Sequence, residues 1–186
     1  YEDVAPDKMA IGKAPIKLIT LNKTTGEYNK HKIKFQNRWQ DILGAMADDK
    51  NLYIFYTGKN KSTKQHGLFV EKMDFEATSL KSVMLDRASD KKSARDYYLV
   101  QSPNSKFGIL NTGEELILIN EDLKKVYSEG FGLSSVNNLI VTNEGAAFIV
   151  GLKNDKPVLL SISEEGKIAA ESMLPEVDGT VLQGQV

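Results

Sequence analysis

Apolar residues along this chain come in short runs separated by polar turn clusters. The runs include Ile16-Lys17-Leu18-Ile19-Thr20-Leu21, Leu52-Tyr53-Ile54-Phe55-Tyr56, Gly67-Leu68-Phe69-Val70-Glu71, Leu116-Ile117-Leu118-Ile119 and Ala147-Phe148-Ile149-Val150. They are rich in β-branched and aromatic side chains, which suit a pleated, half-buried surface. The clusters between them include Thr24-Thr25-Gly26, Asp48-Asp49-Lys50-Asn51, Pro103-Asn104-Ser105, Asn111-Thr112-Gly113, Asn143-Glu144-Gly145 and Glu164-Glu165-Gly166. Gly, Asn and Asp tolerate the positive φ that tight hairpins require. No segment sustains apolar residues at i, i+3, i+4 and i+7 for a dozen positions, so the pattern predicts strands with little helix.

The strands recur in fours. One unit spans 42–85, with strands Ile42–Ala47, Asn51–Thr57, Gly67–Asp74 and Ser79–Leu85. The next spans 97–128, with Tyr97–Ser102, Lys106–Leu110, Glu115–Asn120 and Lys124–Ser128. A third spans 138–173, with Asn138–Thr142, Ala147–Gly151, Pro157–Ser163 and Lys167–Met173. Residues 15–35 supply the last two strands of an earlier unit, Pro15–Asn22 and Tyr28–Phe35. Residues 180–186 could open another, and 1–14 read as a leader or linker. The period is about 40–50 residues, as for four strands per propeller blade. A lone four-stranded sheet cannot bury both its faces, so such units stack.

The turn-and-strand segments Ser102-Pro103-Asn104-Ser105-Lys106 and Thr142-Asn143-Glu144-Gly145-Ala146 resemble blades of bacterial β-propeller proteins. So do the later hairpins Asn120-Glu121-Asp122-Leu123-Lys124 and Ser163-Glu164-Glu165-Gly166-Lys167. The resemblance covers roughly 15–175 and is generic. It implies an all-β fold, a partial β-propeller of four-stranded antiparallel blades; a β-sandwich is the alternative. Trp39-Gln40-Asp41 falls in a connection between units and is no WD signature. Three full units and a half fall short of the roughly six to eight blades of common rings. The expectation is therefore an arc of a larger ring or complex.

Composition is that of an ordinary globular chain: 186 residues, 41% hydrophobic and 26% charged. No apolar run approaches the roughly 18 residues a membrane helix needs. The chain contains no cysteine, which removes disulfides, thiol catalysis and cysteine-ligated zinc. That absence and the bacterial resemblance suggest a periplasmic or other extracytoplasmic home, with the cytoplasm as alternative. The net charge of −1 conceals a split. Residues 1–113 hold 19 basic against 13 acidic residues, and 114–186 hold 5 against 12.

Signatures of chemistry are missing. No Gly-x-Ser-x-Gly elbow occurs; Gly132-Leu133-Ser134-Ser135-Val136 fails at its last position. His31 and His66 are the only histidines, and each lies in or beside a lysine-rich stretch. No His-x-x-x-His or calcium-loop pattern appears. The paired acids Asp48-Asp49 and Glu164-Glu165 read as hairpin turns. Gly130-Phe131-Gly132 lacks the third glycine and the helix of a dinucleotide loop. The expectation is a chain with no catalytic residue, no metal and no cofactor.

The resemblance also implies that inter-blade connections and second-to-third-strand loops share a ligand-bearing face. Two connections end alike there, in Arg38-Trp39-Gln40-Asp41 and Arg95-Asp96-Tyr97-Tyr98; the third, Val136-Asn137-Asn138, does not. The loop between the first two adds Lys59, Lys61, Lys64 and His66. Arginine beside an aromatic ring can hold a carboxylate, a sugar or a peptide through forked hydrogen bonds and stacking. Arg38, Trp39, Lys59, Lys61, His66, Arg95 and Tyr97 are the candidate binding residues. The bland reading of the same residues is blade-to-blade ties. A protein or peptide partner fits best. The slight negative charge and the lack of a basic stripe argue against nucleic acid. The function expected is a non-catalytic binding or assembly module; the alternative is an accessory part of a larger hydrolase whose catalytic residues lie outside this chain.

Overall fold

The computed structural model describes residues 16–87, 98–112 and 115–175. The leader at 1–14, the strand expected at 180–186, Arg95 and Tyr97 lie outside the described residues. Fourteen strands are described. Sheet A pairs β1 (Lys17–Leu21) with β2 (Tyr28–Lys32). Sheet B runs in order through β3 (Arg38–Ala47), β4 (Asn51–Lys59), β5 (His66–Asp74) and β6 (Ser79–Arg87). Sheet C comprises β7 (Tyr98–Gln101), β8 (Phe107–Asn111), β9 (Leu116–Asn120) and β10 (Lys125–Glu129). Sheet D comprises β11 (Ser135–Val141), β12 (Ala147–Lys153), β13 (Lys156–Ile162) and β14 (Ile168–Met173). All pairs are antiparallel and each strand pairs with its neighbour in sequence. The fold class is thus all-β, with four-stranded antiparallel meanders of the propeller-blade kind. The crossing connections of a Greek-key sandwich are absent among the described residues.

The hairpins form for a local reason that recurs. Five of them open on Asp74, Ser102, Asn120, Thr142 or Ser163. Each of these accepts a backbone bond from the residue three positions on: Ala77, Ser105, Leu123, Gly145 and Gly166. Those five donors all have positive φ; four of the loops have three residues, the type I turn plus bulge, and the loop closed by Ser102 N to Phe107 O has four. The opening side chain then accepts a second backbone N–H. Asp74 Oδ1 takes Thr78 N at 2.8 Å and Asn120 Oδ1 takes Lys124 N at 2.9 Å. Short oxygen-bearing side chains stand at these positions because they replace backbone partners the turn removes.

Asp48 does the same work in the β3–β4 turn. Its Oδ1 accepts the N–H groups of Lys50 and Asn51, each at 2.7 Å, and its Oδ2 accepts the Tyr53 hydroxyl at 2.6 Å. Burial alone would raise its pKa. The bonds from Tyr53, Lys50 and Asn51 outweigh it and hold the carboxyl at about 2, below its ordinary 3.8.

The chain divides into two compact units, residues 1–94 and 95–186. In the first, sheet A and the connection after it lay Ile16, Leu18, Ile33 and Phe35 on one face of sheet B, against Ile54, Tyr56, Phe69 and Met73. In the second, sheets C and D share one core, with Ile109, Leu116, Leu118 and Tyr127 meeting Leu139, Ile149, Val158, Leu160 and Ile162. Corresponding turns of these two sheets are tied together: Asn104 N donates to Asn143 Oδ1 at 2.9 Å and Asn104 Nδ2 to Asn143 O at 3.1 Å. Aromatic rings of sheet C lie on turn glycines of sheet D. Phe107 covers Gly145, and Tyr127 covers Gly166 so closely that a Cβ there would fall 2.6 Å from the ring. The Tyr127 hydroxyl is buried without a partner among the described residues, and burial pushes its pKa up to about 12.

Two outcomes follow. Gly26 and Gly166 both have positive φ, but a Cβ added at Gly26 would have nothing within 4 Å. Gly26→Ala should cost about 1 kcal/mol of backbone strain. Gly166→Ala should cost about 3 kcal/mol, strain plus overpacking against Tyr127; urea denaturation of both variants checks this. Asp48 has a depressed folded pKa, so its contribution is complete above the unfolded pKa and is lost as pH falls through 4 toward 2. Wild type should exceed Asp48→Asn by about 1 kcal/mol at pH 6, a value reduced for solvent screening. Near pH 2 the gap should close.

Candidate functional site

The site expected from sequence lies at one end of sheet B, where β3 begins, β4 ends and β5 begins. What brings β3 there is the connection from β2, residues 33–37. Its Gln36 N–H donates to both oxygens of Glu71, at 2.9 and 3.2 Å. Glu71 is fully buried in β5, and its Oε2 also accepts the Tyr56 hydroxyl at 2.8 Å. Beside it, Gln36 Nε2 donates to Ser79 Oγ at 3.0 Å and Asn37 Nδ2 to Ser82 Oγ at 3.1 Å. From the tip of the β4–β5 hairpin, Lys61 Nζ reaches back to the Phe35 carbonyl at 3.1 Å. Burial is the largest cause of the Tyr56 hydroxyl's raised pKa, and the adjoining Glu71 adds to it, so this group stays a donor.

Strand register then sets the surface. Arg38 stands opposite Lys59, and Lys59 opposite His66. Directly opposed residues share a face, so the guanidinium, ammonium and imidazole side chains form one cross-strand row. The next row contains Trp39, Gly58, Gly67 and Arg87. No carboxylate pairs with Arg38, Lys59 or Arg87 among the described residues. The nearby Asp41 takes a bond from Thr57 Oγ1 at 3.3 Å, and Asp86 takes one from the Arg87 N–H at 2.7 Å.

The sequence-derived candidates therefore separate. Arg38, Lys59 and His66 come together. Lys61 lies at the same end with its ammonium bound to the Phe35 carbonyl. Trp39 points into the core, 6.2 Å from Phe35 in a chain of rings that continues through Tyr56 to Phe69. Trp39-Gln40-Asp41 lies inside β3, which starts at Arg38, four residues before the strand expected from the apolar pattern. Arg87 also reaches this end of the sheet, through register alone, but in the row of Trp39 and so on the opposite face from Arg38, Lys59 and His66.

Val136-Asn137-Asn138 proves to be the counterpart of Trp39-Gln40-Asp41 despite its different composition. Register shifts after Trp39 in β3 and after Val136 in β11. The opposed glycines, Gly58 and Gly151, have no room for a Cβ, which would strike the carbonyl oxygens of Arg38 and Ser135. A bulge facing a glycine is thus the repeated device, and sheet D carries it without the basic side chains of sheet B.

In the second unit, Asn111, Glu115, Glu129, Phe131 and Leu133 line a shallow, half-open depression. Ser128 Oγ donates to Glu115 at 2.5 Å. No group of three or more His, Asp or Glu side chains is placed to hold a metal among the described residues. No described helix is long and apolar enough to cross a membrane.

A crystal structure of a eukaryotic initiation factor is similar to this chain at 11% sequence identity, with a TM-score of 0.53, covering 87% of this chain and 43% of that chain. The β-propeller domain of the Trilobed protease from Pyrococcus furiosus, an open velcro topology, aligns at 13% identity with a TM-score of 0.41, covering 76% of this chain and 45% of that one. The chain spans less than half the length of either. At such identity the likeness concerns fold alone. No protein-family model matches the chain, and no curated protein matches it.

Proposed function

We propose that this chain is a non-catalytic binding or assembly module that engages a protein or peptide partner at the end of sheet B. The observation that carries the reading is the row Arg38, Lys59 and His66. Like charges on directly opposed strand positions destabilise a sheet. An ion-paired row would be structural, but here no carboxylate answers the basic groups among the described residues. A partner segment rich in Asp and Glu would supply what the sheet lacks. The Arg38 fork would take one carboxylate through two parallel bonds, with Lys59 as a point charge beside it. Lys61 and Trp39 hold the end in place: the lysine ties the hairpin to the connection and the ring packs beneath.

The test is titration with a ten-residue oligoglutamate peptide, read by chemical shifts and calorimetry. Wild type should bind, with affinity falling as salt rises. Arg38→Ala with Lys59→Ala should weaken binding at least tenfold, about 1.4 kcal/mol. Equal affinity in the folded double variant, or no shift at 38, 59 and 66, would reject this surface.

A further inference from the structure

We infer that the chain associates head to tail with a second copy of itself, the outer face of sheet D in one copy receiving the outer face of sheet A in the other. This goes beyond the basic row and does not depend on it. The packing of sheet D on sheet C supplies the template. In sheet C one cross-strand row, Val100, Ile109, Leu118 and Tyr127, faces sheet D. Alignment of the two sheets on their turns makes Ile140, Phe148, Ser161 and Ala170 the matching row of sheet D. The turn bonds Ser102 N to Phe107 O and Thr142 N to Ala146 O fix the first hairpin; Asn120 N to Lys124 O and Ser163 N to Lys167 O fix the last. The matched residues indeed form one continuous row. They lie on the face of sheet D that turns away from sheet C.

That outer face carries no charge in this row or the next, Asn138, Val150, Leu159 and Ser172. Ile140 and Phe148 are each 42% exposed, whereas Ile109 and Leu118, in the matching row of sheet C, are fully buried. An uncharged sheet face with Ile140 and Phe148 exposed side by side is suited to contact with another apolar surface.

The complementary half is present in sheet A. The β1–β2 hairpin closes with Asn22 N to Glu27 O, as β13–β14 closes with Ser163 N to Lys167 O. This aligns Leu21 with Ile162 and Ile19 with Leu160. Leu160 and Ile162 are the buried residues that sheet D sets on sheet C. Ile19 and Leu21 are 60% and 63% exposed, and Tyr28, opposite Leu21, is 59% exposed. Lys17, Lys30 and Lys32 share their face, with the Lys30 ammonium 5.3 Å from the Tyr28 ring centre. Their aliphatic stems can lie on an apolar surface while the ammonium groups reach solvent, and the two rows of the sheet D face offer no cation to repel them. The two exposed faces are thus the two halves of an interface the chain already builds once, and such unlike halves make a heterologous contact.

Sedimentation of the full chain tests this. Wild type should show at least twice the chain mass of 20.7 kDa. Phe148→Lys and Ile19→Lys should each sediment as a folded monomer, because each spoils one half of every contact. Mixed in equal amounts they should form a one-to-one dimer through the two faces left intact. Ile140→Lys and Leu21→Lys serve as a second pair should either variant misfold by circular dichroism. A monomeric wild type at the highest soluble concentration, or a mixture that stays monomeric, would overturn the inference and leave these faces to blades of another chain.

Discussion

The buried carboxyl of Glu71 governs how the first unit is put together. Burying such a group without partners would cost several kcal/mol. It is tolerated because the Gln36 N–H and the Tyr56 hydroxyl point at it. Satisfying Glu71 therefore fixes the connection that joins sheet A to sheet B. Ser79 and Ser82 on β6 take the amides of Gln36 and Asn37, so the connection is held by the central and the outer part of one sheet. Arg38 begins β3 two residues after Gln36. The register from there is backbone geometry, and it delivers the Arg38–Lys59–His66 row.

Much of the architecture is legible in the pattern of the chain. Turn residues and alternating apolar runs locate the hairpins, because a tight turn needs a short oxygen-bearing side chain and a residue that accepts positive φ. The start of β3 is not legible in the same way. Arg38-Trp39-Gln40-Asp41 has no apolar alternation, and a bulge after Trp39 breaks the two-residue period. The bulge has a signal after all, the glycine facing it, yet Gly58 and Gly151 read locally as turn or strand-end residues. Leu123 and Ala77 adopt positive φ without being glycine, which composition alone does not suggest.

The site is legible only in part. Lys59 and His66 group by proximity in sequence, and the strand ends do bring them together with Arg38. Trp39 reads in sequence as a binding edge, while the structure packs it against Phe35. Glu71 carries a usable signal: it shares strand parity with Phe69 and Met73, and a lone acid on an apolar stripe must have partners. Arg87 carries none, since only the pairing of Gly67 with Arg87 places it at that end. The same parity logic links function to fold elsewhere. The sheet C row buried against sheet D has its exposed counterpart in Ile140 and Phe148 of sheet D, and the buried Leu160 and Ile162 of sheet D have theirs in Ile19 and Leu21 of sheet A; the proposed assembly would bury both.

Amide hydrogen exchange at Gln36, in wild type and in Glu71→Ala, tests the anchoring role of Glu71 most directly. The Gln36 N–H belongs to no strand ladder, so its protection reports the Glu71 bond. It should exchange in wild type as slowly as the central β4–β5 amides of Phe55 and Val70. In Glu71→Ala it should exchange roughly ten- to a hundredfold faster relative to those amides, the loss expected for a hydrogen bond to a carboxylate. Exchange of the Gln36 amide at the rate of an exposed loop in wild type, or an unchanged ratio in the variant, would contradict the account.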